Sequence, residues 1–126
     1  MSSIHDKMHT YREVELEILR WAEARRIIPN STPVAQARKT LEEAGELLEA
    51  AARMKAMLET GISKGAPVYQ DELKKYKDAV GDVVVTLING AALADVDVVR
   101  CTIDAYDEIK DRRGTLMPNG IFVKEA

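Results

Sequence analysis

Two long segments constrain this chain more than anything else in it. In "PVAQARKTLEEAGELLEAAARMKAMLE", residues 33–59, Val34, Ala37, Leu41, Ala44, Leu48, Ala51 and Met54 recur at intervals of three and four. In "YQDELKKYKDAVGDVVVTLINGAA", residues 69–92, Leu73, Tyr76, Val80, Val83, Val84, Leu87 and Ala91 do the same. That interval is the period of an α-helix, so each stripe predicts one long amphipathic helix. The first would be roughly 40 Å long at ~1.5 Å per residue. It should begin at Thr32, a suitable N-cap, with Pro33 in the first helical position. "TGISKGAP" ends it near Glu59, with Gly61 suited to the helix exit. "VVVTLI", taken alone, favours a strand because β-branched residues suit a sheet. The helical spacing continues on both sides of it, so a helix is predicted there too.

Two further helices complete the pattern. One is predicted from about Ile4 to Arg26, with Val14, Ile18, Trp21 and Arg25 in helical register and Leu19 and Ala22 widening the stripe. "IIPNSTP" breaks it with two prolines. The last is capped by Asp95 or Asp97 and ends near Arg112. Residues 114–126 read as a short irregular tail, in which "PNG" is a turn signal compatible with a small hairpin. The expectation is an all-α fold, a four-helix bundle with a short irregular C-terminal tail, in one domain spanning 1–126.

The helices carry an unusual charge pattern. Glu42, Glu43, Glu46 and Glu49 crowd one stretch of the first long helix. Like charges three or four residues apart cost roughly 0.2–0.5 kcal/mol per pair. Glu42, Glu46 and Glu49 share a stripe, with Glu43 expected at its edge. Asp78, Asp82 and Asn89 share a stripe of the second long helix. Antiparallel packing would bring the two acidic stripes together, and such a cluster is stable when cations sit among the carboxylates. Mg²⁺ is a hard ion that takes oxygen ligands, waters and substrate phosphates. The bland reading is a solvated acidic face, with Lys39 and Arg53 paired to Glu43 and Glu49 four residues away. Gly45 and Gly81 each precede a carboxylate inside a helix, where glycine costs about 1 kcal/mol relative to alanine. They suggest close approach of a backbone or ligand, or tight helix packing.

Charge narrows the function. The formal net charge is −3, without the basic balance of a protein that grips a nucleic acid polymer. No apolar run approaches the ~20 residues that span a bilayer, so no membrane association is expected. The opening residues lack the apolar core of a secretory signal. Cys101 is the only cysteine, which suits a cytoplasmic protein.

"EEAGE" followed on the next long helix by "VGD" resembles the EExxE and ExxD motifs of the MazG-like, all-α nucleoside triphosphate pyrophosphohydrolases. "WAEARRIIPNSTPVAQARKTLEEAGEL" and "YDEIKDRRGTLMPNGIFVKE" extend the resemblance to the phage-type branch, over most of the chain from Trp21 onward. The ordered pair of motifs is far more specific than EExxE alone. The resemblance implies Mg²⁺-dependent cleavage between the α and β phosphates, with Mn²⁺ a substitute ion. Glu42, Glu43 and Glu46 match EExxE, and Asp82 matches the last residue of ExxD. Glu43, Glu46 and Asp82 would be the principal metal ligands, and Glu42 either a further ligand or the base that orients water. The Glu of ExxD falls on Ala79, which cannot bind a metal. Asp78, one turn before Asp82, is the candidate replacement, although it points about 100° away from Ala79.

A triphosphate also needs protein cations. Lys110, Arg112, Arg113 and Lys124 are candidates, although the first three also suit the C-terminal dipole of a helix. Lys39 either binds phosphate or balances the glutamates. Trp21 either stacks on a base or fills the core. Asn89 is the best candidate for base or sugar, ahead of Asn30, Ser31 and Gln36. His5 and His9 are four apart, but no third ligand stands nearby. The resemblance to the phage-type branch implies a purine deoxynucleotide substrate such as dGTP or dATP, hydrolysed in nucleotide-pool control, in the host cytoplasm if the protein is phage-encoded. The apolar surface left by the long helices predicts a homo-oligomer, which the resemblance implies is a homo-dimer or tetramer. The alternative is a non-catalytic helical interaction protein that kept the fold, with Ala79 marking a lost site. A di-iron bundle is disfavoured, since no glutamate here has a histidine three residues later.

Overall fold

The computed structural model describes residues 10–125. His5, His9 and the predicted helix start at Ile4 lie outside them. Five helices and one hairpin follow in order: α1 (Tyr11–Ala24), α2 (Ile27–Asn30), α3 (Pro33–Glu59), α4 (Pro67–Leu93), α5 (Val98–Ile109), β1 (Gly114–Leu116) and β2 (Phe122–Lys124).

Local chemistry sets the boundaries. The Thr10 side chain accepts from the Glu13 amide at the start of α1, and Thr32 does the same for Ala35 at the start of α3. Pro33 and Pro67 each open a long helix, so α4 starts two residues before the predicted Tyr69. Asp97, not Asp95, caps α5 by accepting from the Val99 and Arg100 amides. Asp95 instead takes a left-handed turn at φ 57°. "IIPNSTP" does break the helical pattern: Arg26 turns left-handed at φ 63°, and the short segment α2 that follows is irregular, with Ile28 extended at φ −104°, ψ 124°. "VVVTLI" lies inside α4, as the periodicity requires.

The long pair is antiparallel. Gln36 lies beside Gly90, the hydroxyls of Thr40 and Thr86 meet at 2.7 Å, and Arg53 reaches Glu72, so numbers rise on α3 as they fall on α4. Gly90 is what permits the close approach, because an added Cβ would stand 3.3 Å from that of Gln36. Gly45 and Gly81 face open space instead. Within one chain, neither serves the tight packing that the sequence suggested for them.

The core is slim. Ala22, Ala50, Tyr69, Ala79 and Ile88 are its buried apolar members. Much of the stripe predicted to face inward on α3 faces outward: Leu41 is 75% and Leu48 71% exposed, with Val34 beside them. The reason is geometric. α4 runs along the opposite side of α3, the side of Glu43 and Ala50. The tail is an antiparallel hairpin rather than an irregular segment, pairing Gly114 with Lys124 and Leu116 with Phe122. Gly120 makes its turn at φ 86°. Gly114 is required, because a Cβ there would stand 2.3 Å from the Val123 carbonyl.

Candidate functional site

The groove between α3 and α4 holds most of the predicted carboxylates. Its two parts meet at Asp82. One part, about 370 Å³, is lined by Glu46, Glu49, Arg53, Glu72, Lys75, Asp78, Ala79 and Asp82. The other, about 390 Å³, is lined by Trp21, Gln36, Lys39, Glu43, Asp82, Thr86 and Asn89, among others. The α3–α4 pairing alone therefore places Glu43, Glu46, Asp78 and Asp82 along one groove.

Glu43 is the centre of the arrangement rather than its edge. It is 8% exposed, and its Oε2 is buried with no hydrogen-bond partner. Its Oε1 lies 3.4 Å from Lys39 Nζ. A buried, unsatisfied polar atom costs about 1–3 kcal/mol, and more when charged. Glu43 raises the Glu46 carboxyl above its ordinary value, first because it can accept a hydrogen bond from the protonated form of Glu46 and then through its negative charge. Lys39 is held above its ordinary value by Glu42 first and Glu43 second. Glu42 itself is exposed, pairs with Lys39 at 3.2 Å, and lines neither part of the groove.

These observations bear on a metal. The donors are all carboxylate oxygens, as Mg²⁺ or Mn²⁺ prefers. An orphaned buried oxygen beside a carboxyl whose ionisation is disfavoured is a place where a cation relieves both costs. Glu43, Glu46, Asp78 and Asp82 therefore fit the ion in the chemistry of their donors. Among the described residues, no three such side chains are already gathered at ligand spacing. Ala79 is 4% exposed and lines the acidic part beside Glu46. The position where the resemblance expects a glutamate thus does face the site, and it carries a methyl group.

The other part presents an aromatic face and amide groups. Trp21 is nearly half exposed and lines the groove rather than filling the core, with Arg25 over its ring at 5.9 Å. Asn89 is 3% exposed, and its Oδ1 has no hydrogen-bond partner. Gln36 also lines this part and donates to Ser31 Oγ at 3.0 Å. Asn30 bonds back to the Arg26 carbonyl. Lys110, Arg112, Arg113 and Lys124 sit after α5 and on the hairpin, and none lines the groove of its own chain. Sequence reasoning missed Glu72, a buried carboxylate facing the groove, and its partners Arg53 and Lys75. The signal was available: Glu72 lies seven residues before Ala79, on the same helix face.

A similar fold is found in a solved structure, matched over 94% of this chain and 100% of its own. It is a Cyanophage S-2L MazG-like pyrophosphohydrolase bound to dGDP and three catalytic Mn²⁺ ions per active site, with a TM-score of 0.59 and 23% identity. The fold is MazG-like. No family model and no curated protein matches the sequence. The MazG-like fold accounts for the long antiparallel pair, and the groove just described lies along that pair.

Proposed function

We propose that the chain is a divalent-metal-dependent (deoxy)nucleoside triphosphate pyrophosphohydrolase. It would cleave the α–β anhydride of a purine dNTP such as dGTP or dATP, giving the monophosphate and pyrophosphate in nucleotide-pool control. The observation that carries this reading is the orphaned, buried Glu43 oxygen, in a groove whose other wall presents Asp82 and Asn89. Support also comes from the MazG-like pyrophosphohydrolase of similar fold, which binds dGDP and Mn²⁺.

In this reading Glu43, Glu46 and Asp82 hold Mg²⁺, for which Mn²⁺ substitutes, and Asp78 stands in for the glutamate absent at Ala79. The bound ion supplies charge neutralisation for phosphate oxygens and an acidified water. Glu42 is a further ligand or the base that orients the water. Trp21 offers an aromatic face to the base, and the free Asn89 Oδ1 accepts from a base-edge donor. Lys39 meets phosphate from its place between Glu42 and Glu43. Lys110, Arg112, Arg113 and Lys124 reach a groove only from a second copy, in a homo-dimer or tetramer. The exposed stripe of Val34, Leu41 and Leu48 is the surface such a copy would cover.

A product assay tests the reading. Each common NTP and dNTP is incubated with Mg²⁺, Mn²⁺ or chelator, and the products are separated by ion exchange. Metal-dependent monophosphate plus pyrophosphate is expected, fastest with a purine dNTP, and absent in Glu46→Gln. Ala79 favours one second reading, a non-catalytic interaction protein. Absence of turnover on every nucleotide with either metal would select it.

A further inference from the structure

The groove is asymmetric in charge. Glu46, Asp78 and Asp82, near its middle, face no lysine or arginine among the residues lining the acidic part except the two at its far end. At that end two carboxylates meet two cations. Arg53 bonds Glu49 on its own helix and reaches across to Glu72, with Nη1 3.5 Å from Glu72 Oε1. Lys75 Nζ lies 3.7 Å from Glu72 Oε2. Glu72 is 5% exposed, and its Oε1 has no hydrogen-bond partner, the Arg53 contact being too long for one. Burying a carboxylate beneath a half-exposed arginine and a largely exposed lysine holds their charged heads at the groove while their remaining N–H groups stay free.

The spacing along α4 gives this end a meaning. Asn89, Asp82 and Lys75 are each seven residues apart. Seven residues are nearly two turns, so the three lie on one line with a drift of only ~20° per step. Each step is roughly 10 Å of helix. A nucleotide lying along this line, with its base at Asn89 and its reactive phosphate at Asp82, points its terminal phosphates toward Lys75 and Arg53. Lysine then serves as a point charge and arginine as a planar multiple donor to phosphate oxygens.

We propose that Arg53 and Lys75 form the subsite for the β and γ phosphates, the departing pyrophosphate, and that Glu72 is the residue that positions both. The inference rests on the pyrophosphohydrolase reading for the orientation of the substrate. It makes Arg53 and Lys75 the determinants of triphosphate over diphosphate preference.

Titration calorimetry with inorganic pyrophosphate and Mg²⁺ tests the subsite directly, without turnover. Arg53→Gln and Lys75→Gln should each weaken that binding at least tenfold, and Lys55→Gln, beyond the groove on α3, should not. Kinetics sharpen the test. The KM for the triphosphate should rise at least tenfold in both variants, and by a clearly larger factor than that for the diphosphate, which places only its β phosphate in the subsite. Glu72→Gln should show the same split, which a merely structural role would not produce. Lys75 is largely exposed and bridges no helices, so Lys75→Gln stays informative if Arg53→Gln unfolds. Wild-type protein that ignores Mg²⁺-pyrophosphate, or variants that bind it within twofold of wild type, would overturn the inference. Wild-type protein that binds pyrophosphate through Arg53 and Lys75 but turns over no nucleotide would leave the subsite standing and remove the hydrolase reading.

Discussion

The two sides of α3 invert the usual rule. Its α4-facing side buries Glu43 beside Ala50, while its outer side exposes Leu41 and Leu48. Hydrophobic burial contributes about 1.5–3 kcal/mol per large apolar side chain, so a chain folded for its own stability would do the reverse. Under the proposed function, each side would take an occupant that one chain does not supply. The inner side has carboxylates that a cation would satisfy, and the outer side has leucines that a second copy would cover. In this molecule, stability within a single chain is a poor guide to which face does the work.

The largest expected effect breaks the inner side. Asp82→Asn should reduce kcat by more than about a hundredfold, since even residues behind metal ligands cost ten- to a hundredfold. Glu43→Leu should abolish turnover as well, yet raise the unfolding free energy in chelator by about 1–3 kcal/mol, because it removes an unsatisfied buried group. Denaturant titration with chelator checks the second point. A loss of stability there would mean that Glu43 is a structural residue paired to Lys39, and the inner face would lose its claim to be a site.

The outer side is tested by charge. Leu41→Glu with Leu48→Glu should convert an oligomer into a 14.0 kDa monomer, read by light scattering, and leave the helical circular dichroism of the chain intact. Wild-type protein already monomeric at that mass would break the comparison, leaving the leucines without an occupant. A smaller effect separates the two sides at the glycines. Gly45 shares the outer stripe with Leu41 and Leu48, and alanine meets nothing there within one chain. Gly45→Ala should then stabilise the monomeric double variant by about 1 kcal/mol. In the wild-type background the same change should weaken association if a second copy packs against Gly45. At Gly90 the gain in helix propensity is opposed by crowding of Gln36, so Gly90→Ala should gain less than Gly45→Ala.

How much of this was legible follows from what periodicity encodes. The spacing of Val34 through Met54 and of Leu73 through Ala91 identifies two long helices, and both are present. The MazG-like fold expected from "EEAGE" and "VGD" is present as well. Periodicity finds a stripe but not its partner, so the α3 leucines read as core although α4 lies against the other side. The same ambiguity put Glu43 at the edge when it sits at the centre. Glu72 was passed over because a glutamate between Asp71 and Lys74 looks like solvated surface, although its place seven residues before Ala79 puts it on the same helix face. Lys110, Arg112, Arg113 and Lys124 are legible as a basic cluster, but sequence says nothing about whose groove they serve. The hairpin was signalled by "PNG", while its strands are too short to show alternation.

The smallest effect concerns how α5 is held, since it contributes no fully buried residue among those described. In place of a packed face it has a polar tie. Arg12 on α1 bonds Glu15 and reaches Asp97 at 3.1 Å, and Asp97 caps α5. The Arg100 amide, then the Arg12 guanidinium, hold the Asp97 carboxyl below its ordinary value of 3.8. A carboxyl depressed in the folded state binds fewer protons there than in the unfolded chain. Its contribution to stability is therefore present above the ordinary value and is lost as pH falls through the depressed one. Melting temperatures of wild type and Asp97→Asn should differ at neutral pH and converge on acidification below 3.8. Asparagine keeps a capping oxygen, so the difference isolates the charge and should be small. Curves that stay parallel to the lowest pH would show that the charge of Asp97 does not help to hold α5.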